Sequence, residues 1–185
     1  MRKDFGAKPY TYPQPVYMIA TYDEEGNADL MNAAWGGISN GAEISLCLSV
    51  GHKTVKNLKK TGAFTVSIAD AKHMAACDYV GLVSANDTKD KMEKAGFTVT
   101  KSEKVNAPIV NELAVCLECE VASYDDETHR LVGNIVNVSV DESVLTDGKV
   151  DVAKVAPITF DPFNNAYHVL GEKVGDAFKS GLALK

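Results

Sequence analysis

The pattern of apolar and polar residues predicts six β-strands along this chain. β-Branched and aromatic residues recur in these segments, and the apolar–polar alternation is strict in 63–69, which is typical of strands. The predicted strands are 16–22, 28–37, 44–50, 63–69, 113–124 and 130–139. We expect the first three to form an antiparallel meander and the last two to form a hairpin across the polar turn between them.

Short helical patterns lie between the predicted strands. They cover 51–62, 70–83 and 88–97. Gly62 is a typical helix stop, and Asp70 suits the N-cap position of the second helix. We expect 98–110 to be irregular, whereas 150–155 fits either a helical turn or a short strand.

These elements predict a mainly β (α+β) fold. An antiparallel sheet of about six strands usually closes into a barrel or folds into a sandwich, because both arrangements protect its edges. A Rossmann domain is not expected, since no G-x-G-x-x-G follows a strand and strands do not alternate regularly with helices. No repeat or linker divides the chain, so we expect one domain over 1–185.

Composition and charge narrow the possible functions. The formal net charge of −6 argues against a dedicated nucleic-acid-binding protein, because phosphate backbones call for a basic face. No apolar run approaches the roughly 20 residues that a membrane-spanning helix needs. The N-terminal segment lacks the apolar core of a signal peptide, so we expect a cytoplasmic protein.

The cysteines do not indicate a metal site. Cys116 and Cys119 have the spacing of a redox or zinc half-site, but they lie in the predicted strand 113–124. Residues three apart on a strand point to opposite faces, so the two thiols cannot easily share one ion. No second cysteine or histidine pair completes a zinc set, and we expect two ordinary reduced thiols.

The segment 27–37 is unusual for a core strand. It carries small residues and the glycine pair Gly36 and Gly37 where valine or isoleucine would be ordinary. Small residues allow another backbone or a flat ligand to approach closely. This segment alone fits a bulged strand packed on its neighbour as well as it fits a binding surface.

The helix predicted over 51–62 begins with a second unusual feature. Lys53 and Thr54 lie in its first turn, although a cation there opposes the helix dipole. The free N–H groups of a helix N-terminus bind anions, and the lysine and threonine would add a charge and a hydroxyl donor. A phosphate site and an ordinary solvated helix start both remain open at this point.

Five short motifs occur in order along nearly the whole chain. They are Tyr12-Pro13-Gln14-Pro15-Val16, the segment 29–37, Lys53-Thr54-x-x-Asn57, Asp90-Lys91-Met92 and Tyr167-x-x-Leu170-Gly171. Each motif is weak by itself, but the ordered set resembles the flavin reductase-like family with the FMN-binding split-barrel fold, and its flavoredoxin group most of all. The resemblance implies an antiparallel split β-barrel with short helices inserted between strands. It also implies a homodimer that holds FMN near the subunit interface.

The resemblance further implies a set of cofactor-binding residues. Those expected along the flavin ring are Asp29, Asn32, Ala33, Ala34 and Trp35. Lys53 and Thr54 would meet the phosphate, with Asn57 in the same motif. Ser49 would lie between ring and phosphate, and Lys91 would contact the flavin or its ribityl chain. The residues expected near the outer side of the ring, or from the partner subunit, are His129, Phe163 and Tyr167.

Two positions depart from the family pattern. Asn32 replaces a threonine or serine, and Asp29 stands where a neutral asparagine is expected. A negative charge from Asp29 close to the cofactor would disfavour the anionic reduced flavin and lower its potential. Met92 replaces an aromatic residue and is expected only to fill space.

The function implied by the resemblance is an FMN-dependent oxidoreductase. Electrons would pass from NAD(P)H through bound FMN to a free flavin, an iron chelate or a redox partner. No catalytic side chain is expected, because N5 of the flavin carries the chemistry. The alternatives are an electron carrier without its own NAD(P)H turnover and a non-catalytic flavin-binding module.

Overall fold

The computed structural model describes all 185 residues and contains fourteen strands. The strands are β1 (Gln14–Pro15), β2 (Tyr17–Tyr22), β3 (Ala28–Ala33), β4 (Gly36–Asn40), β5 (Glu43–Cys47), β6 (Ala63–Ile68), β7 (Val99–Lys101), β8 (Pro108–Val110), β9 (Val115–Tyr124), β10 (Arg130–Val140), β11 (Leu145–Thr146), β12 (Lys149–Val150), β13 (Ile158–Asp161) and β14 (Ala166–Val169).

The helices are short and few. They are α1 (Lys53–Thr61), α2 (Met74–Leu82), α3 (Lys91–Ala95), α4 (Val152–Val155) and the 3₁₀ turns Glu142–Val144 and Ser180–Leu184. Gly62 and Gly96 end α1 and α3 in the left-handed conformation, with φ of 71° and 76°, as glycine stops commonly do. None of the helices is both long and apolar enough to cross a membrane.

The main sheet has seven antiparallel strands in the order β3-β2-β6-β9-β10-β5-β4. Its two edge strands, β3 and β4, are consecutive in the chain and are separated only by Ala34 and Trp35. The three residue steps from Ala33 to Gly36 span at most about 11 Å, so the opposite edges of the sheet must come close together. The sheet therefore curls into a barrel with a split, and Ala34 and Trp35 bridge that split.

The structure corrects two predictions about the first strands. The single strand predicted over 28–37 is wrong, because it breaks at Ala34 and its halves join opposite edges of the sheet. The three-strand meander is wrong for the same reason: β5 pairs with β4 and β10 and not with β3. The β2–β3 and β9–β10 hairpins are confirmed.

Some of the shorter elements also differ from those that the sequence predicts. The segment 98–110, predicted as irregular, contains the β7–β8 hairpin. Helix α2 begins at Met74, because Asp70 forms a β-bridge to Pro157 and its side chain accepts a hydrogen bond from the His73 N–H (2.7 Å). A separate three-stranded sheet joins β1, β13 and β14, so the proline-rich entry lies beside the C-terminal strands.

Two large apolar clusters pack against the main sheet, one on each of its faces. The barrel interior contains Ile19, Phe64 and Val66, packed with Val55 and Leu58 of α1. The other cluster lies under α2 and α3 and includes Met18, Ala20, Leu30, Val80 and Phe97. Cys119 belongs to the barrel interior, whereas Cys116 pairs with Ser67 on the opposite face, so the two thiols diverge as predicted.

Candidate functional site

A groove opens where the barrel is split. We call its larger part the apolar hollow, with a volume of about 310 Å³. Its walls are Val16, Met31, Asn32, Ala33, Ala34, Trp35, Cys47, Leu48, His52, Gly81, Phe160 and Tyr167. The polar hollow adjoins it with about 240 Å³ and is lined by Asp29, Met31, His52, Lys53, Thr54, Lys91 and residues 80–85. Met31, His52 and Gly81 border both hollows, so the two lie side by side, and we refer to them together as the groove.

Three residues of the segment 28–37 have distinct structural roles. A Cβ on Gly36 would lie 2.4 Å from the Leu46 side chain, so glycine is required for close pairing of β4 with β5. Asn32 lies against Gly81 of α2, and its amide donates to the Cys77 carbonyl (3.2 Å). Trp35, with 46% of its surface exposed, stands at the rim of the apolar hollow.

The N-terminus of α1 faces the polar hollow. The N–H groups of Lys53, Thr54 and Val55 have no acceptor in the chain, because the helical acceptors would lie before the first turn. The His52 side chain at the N-cap makes no capping hydrogen bond, and the first turn holds no acidic residue. Free donors and the helix dipole together favour an anion at this end of the groove.

Asp29 and Lys91 form a buried ion pair behind that helix end. The Lys91 Nζ lies 2.8 Å from Asp29 Oδ1, and the two side chains are 3% and 2% exposed. Thr54 Oγ1 donates to Asp29 Oδ2 at 2.6 Å. The Lys91 ammonium therefore balances the charge of Asp29, and an effect of Asp29 on the potential of a bound flavin stays a prediction.

The remaining residues of the phosphate motif have different surroundings. The Lys53 Nζ lies 3.4 Å from Asp23 Oδ2 and is partly exposed. Asn57 is buried and donates to Thr21 Oγ1 (3.1 Å), so it supports α1 from behind. Ser49 is exposed and lines neither hollow, although its carbonyl accepts the His52 N–H (3.1 Å).

Of the three residues expected at the outer side of the ring, only Tyr167 lines the groove. Tyr167 lines the apolar hollow and donates to Asp78 Oδ1 (2.7 Å); burial and this hydrogen bond raise its pKa. His129 has a left-handed φ of 59°, and its carbonyl accepts the Leu48 N–H. Phe163 stacks on Tyr12 with ring centres 5.0 Å apart. His129 and Phe163 do not line the groove of their own chain.

Several groove residues were not predicted. His52 borders both hollows. Its burial lowers its pKa, and the positive charge of Lys91 lowers that pKa further. Gly81 and Phe160 come from segments far apart in sequence. The glycine inside a helical pattern was a visible signal of close packing, whereas nothing local marked Phe160.

The flavin reductase-like domain matches residues 10–159. The chain belongs to the flavin reductase-like family. The split-barrel fold implied by the sequence motifs is thus confirmed.

Solved structures of this flavin reductase-like family superpose closely on the chain. Flavoredoxin of Desulfovibrio vulgaris (Miyazaki F) has a TM-score of 0.93 at 34% identity, over 98% of this chain and 100% of its own. Flavoredoxin from Methanosarcina acetivorans has a TM-score of 0.89 at 26% identity, and both chains are fully covered. The FMN-binding domain of a flavin reductase-like enzyme from Shewanella baltica shares the fold, with a TM-score of 0.79 at 16% identity over 88% of this chain and 89% of its own.

Proposed function

We propose that this protein is an FMN-dependent oxidoreductase that binds the cofactor in the groove at the barrel split. One observation carries the proposal: an apolar hollow lies beside a hollow that contains an uncapped helix N-terminus. FMN has the matching shape, with a flat ring at one end and a phosphate at the other. The FMN-binding relative and the flavoredoxins support the same cofactor.

The proposed contacts follow the two ends of the groove. Asn32, Ala33, Ala34, Trp35 and Tyr167 would hold the ring. The backbone N–H groups at the start of α1 and the Lys53 ammonium would hold the phosphate, with Asp29, Thr54 and Lys91 beside them and Asn57 behind. Ser49, His129 and Phe163 lie outside the groove of this chain, so any contact from them requires a movement or a partner subunit.

The chain's own residues would position and shield the cofactor. Bound FMN would supply the redox chemistry by accepting a hydride. The apolar walls would keep water from one face of the ring, and the fixed N–H donors of α1 would anchor the phosphate without reorganisation. We propose NAD(P)H as the electron donor and a flavin, an iron chelate or a redox protein as the acceptor.

A flavoredoxin-like electron carrier is the second candidate. The 34% identity over the full length of the Desulfovibrio flavoredoxin favours it. A carrier would bind FMN in the same groove but would not oxidise NAD(P)H at a useful rate by itself. Steady-state NADH and NADPH oxidation, with and without added FMN, separates the two candidates.

We further propose that residues 1–185 act as one domain within a cytoplasmic homodimer. The strongest support for a second copy is the C-terminal tail, in which Val174, Phe178 and Leu184 are almost fully exposed. Contiguous exposed apolar patches mark contact surfaces, and these three side chains lie within eleven residues of one another in the chain. All four cysteines are free, which fits a reducing compartment.

FMN titration of the apo-protein tests the site. Wild-type protein should be yellow when loaded and should bind FMN stoichiometrically. Lys53→Ala with Thr54→Ala should weaken FMN binding roughly 10- to 100-fold, since it removes the charged donor of Lys53 and the Thr54 hydroxyl that holds Asp29 behind the helix end. Lys59→Ala, at the far end of α1 and paired with Asp126, is the control and should bind normally. Unchanged binding in the double variant would refute the phosphate site, and a colourless protein that takes up no FMN would refute the function.

A further inference from the structure

The Asp29–Lys91 pair has almost no contact with water and few alternative partners. Asp29 Oδ1 has the Lys91 ammonium at 2.8 Å as its one partner, and Oδ2 accepts the Thr54 hydroxyl at 2.6 Å. The ammonium also reaches the carbonyls of Val80 and Val83, at 3.4 and 3.5 Å. Removing one member of such a pair leaves an uncompensated buried charge, whereas removing both does not.

The pair lies directly behind the N-terminus of α1. Asp29 Oδ2 is bonded to the hydroxyl of Thr54, and the backbone N–H of that same residue is one of the free donors. Asp29 and Lys91 both line the polar hollow. At this depth water screens charges weakly, so either charge alone would act strongly on an anion in the hollow.

We propose that Asp29 and Lys91 form a charge-balanced pair that sets the phosphate affinity of the groove, and that Lys91 therefore contributes no net positive charge to a bound phosphate. The attraction then comes from the N–H groups of α1 and from Lys53. This inference rests on the proposed function for the identity of the ligand, but it concerns only the phosphate end. It assigns Asp29 a role that its position in the flavin ring segment did not suggest.

Comparison of two flavins isolates the phosphate. Riboflavin has the same ring and ribityl chain as FMN but lacks the phosphate, so the ratio of the two dissociation constants reports the phosphate end alone. The variants are Lys91→Met, Asp29→Asn and the double variant. Lys94→Met is the matched control, because Lys94 lies on the same helix in an exposed pair with Asp90.

The single variants should move this ratio in opposite directions. Lys91→Met leaves a bare carboxylate and should reduce the preference for FMN over riboflavin roughly tenfold, whereas Asp29→Asn leaves a bare ammonium and should increase it by a similar factor. The double variant should stay within about threefold of wild type. If both single variants lose thermal stability but keep the wild-type ratio of dissociation constants, the pair is purely structural and the proposal is wrong.

The double variant decides the question even where a single variant fails to fold. A preference for FMN reduced tenfold or more in the double variant would show that Lys91 binds the phosphate directly, and the proposal would be wrong. Thermal stabilisation by inorganic phosphate separates this inference from the proposed function. Wild-type protein could bind neither flavin and still be stabilised by phosphate, with the effect largest in Asp29→Asn and smallest in Lys91→Met. The proposed function would then fail, and the charge balance would stand. If phosphate has no effect either, both fail.

Discussion

At the scale of single residues, the contact between Gly81 and Asn32 shapes the groove. A Cβ on Gly81 would lie 2.2 Å from Asn32 Oδ1, well inside any tolerated contact distance. The two residues belong to different elements, α2 and β3, and both line the apolar hollow. The missing side chain of Gly81 therefore allows α2 to lie against the strand that leads into the barrel split.

Gly81→Ala is expected to destabilise the protein by about 1–3 kcal/mol, because the added methyl group forces Asn32 or the helix to move. FMN binding should weaken as well, since that movement narrows the groove. Chemical denaturation and FMN titration measure the two effects. Asn32→Ser removes the atoms that the methyl group would meet, so adding it should recover most of the lost stability.

Gly41→Ala is the control for this substitution, because Gly41 has open space around its Cβ position and does not line the groove. An equal loss of stability in both single variants would show that the cost comes from glycine replacement in general. The contact with Asn32 would then not explain the stability that Gly81→Ala loses.

At the scale of elements, the N-terminus of α1 lacks a side-chain cap for its own N–H groups. His52 has the extended backbone typical of an N-cap, with φ −65° and ψ 141°, yet its side chain makes no capping hydrogen bond. A serine or aspartate there would accept one of the free N–H groups. The same N–H groups are the proposed phosphate donors.

His52→Asp should therefore change stability and binding in opposite directions. The apo-protein should gain about 0.5–2 kcal/mol from the cap and from the favourable dipole interaction. FMN binding should weaken strongly, because the carboxylate occupies the donors and repels the phosphate. Thermal denaturation and FMN titration measure both quantities.

His52→Ser is the matched variant, because it caps the helix without adding a charge. It should stabilise the apo-protein to a similar degree and weaken FMN binding less than aspartate does. If His52→Asp bound FMN as tightly as wild type, the phosphate could not lie at this helix end.

At the scale of the whole molecule, the C-terminal tail leaves the body of the fold. Residues 171–185 are all exposed, with Val174 and Phe178 fully so. Such apolar exposure would cost solubility in an isolated chain, which supports the proposed second copy.

Val174→Ser with Phe178→Ser should shift the protein from dimer towards monomer, because it removes apolar area that the partner would cover. Sedimentation velocity at several protein concentrations measures this shift. Val152→Ser, a half-exposed position outside the tail, is the control and should leave the dimer intact. A wild-type protein that sediments as a monomer would contradict the proposal.

The sequence by itself determined the local elements and the family. Strand segments, the glycine stop of α1 and the Lys53–Thr54 helix start are local signals, because each depends on residues within a few positions. The ordered motifs led to the split barrel, and the family match confirms it. Trp35 at one end of the groove and Lys53 at the other were also visible, since they lie within those motifs, whereas His52 and Phe160 were not predicted.

Only the tertiary structure decided which of these segments meet. Alternation shows which face of a strand is buried, but it does not show which strands are neighbours, so the division of 28–37 between opposite sheet edges was not visible. The Asp29–Lys91 pair joins residues 62 positions apart and balances a charge that looked unpaired in the sequence. Burial makes that balance obligatory, and burial is a property of the packed chain.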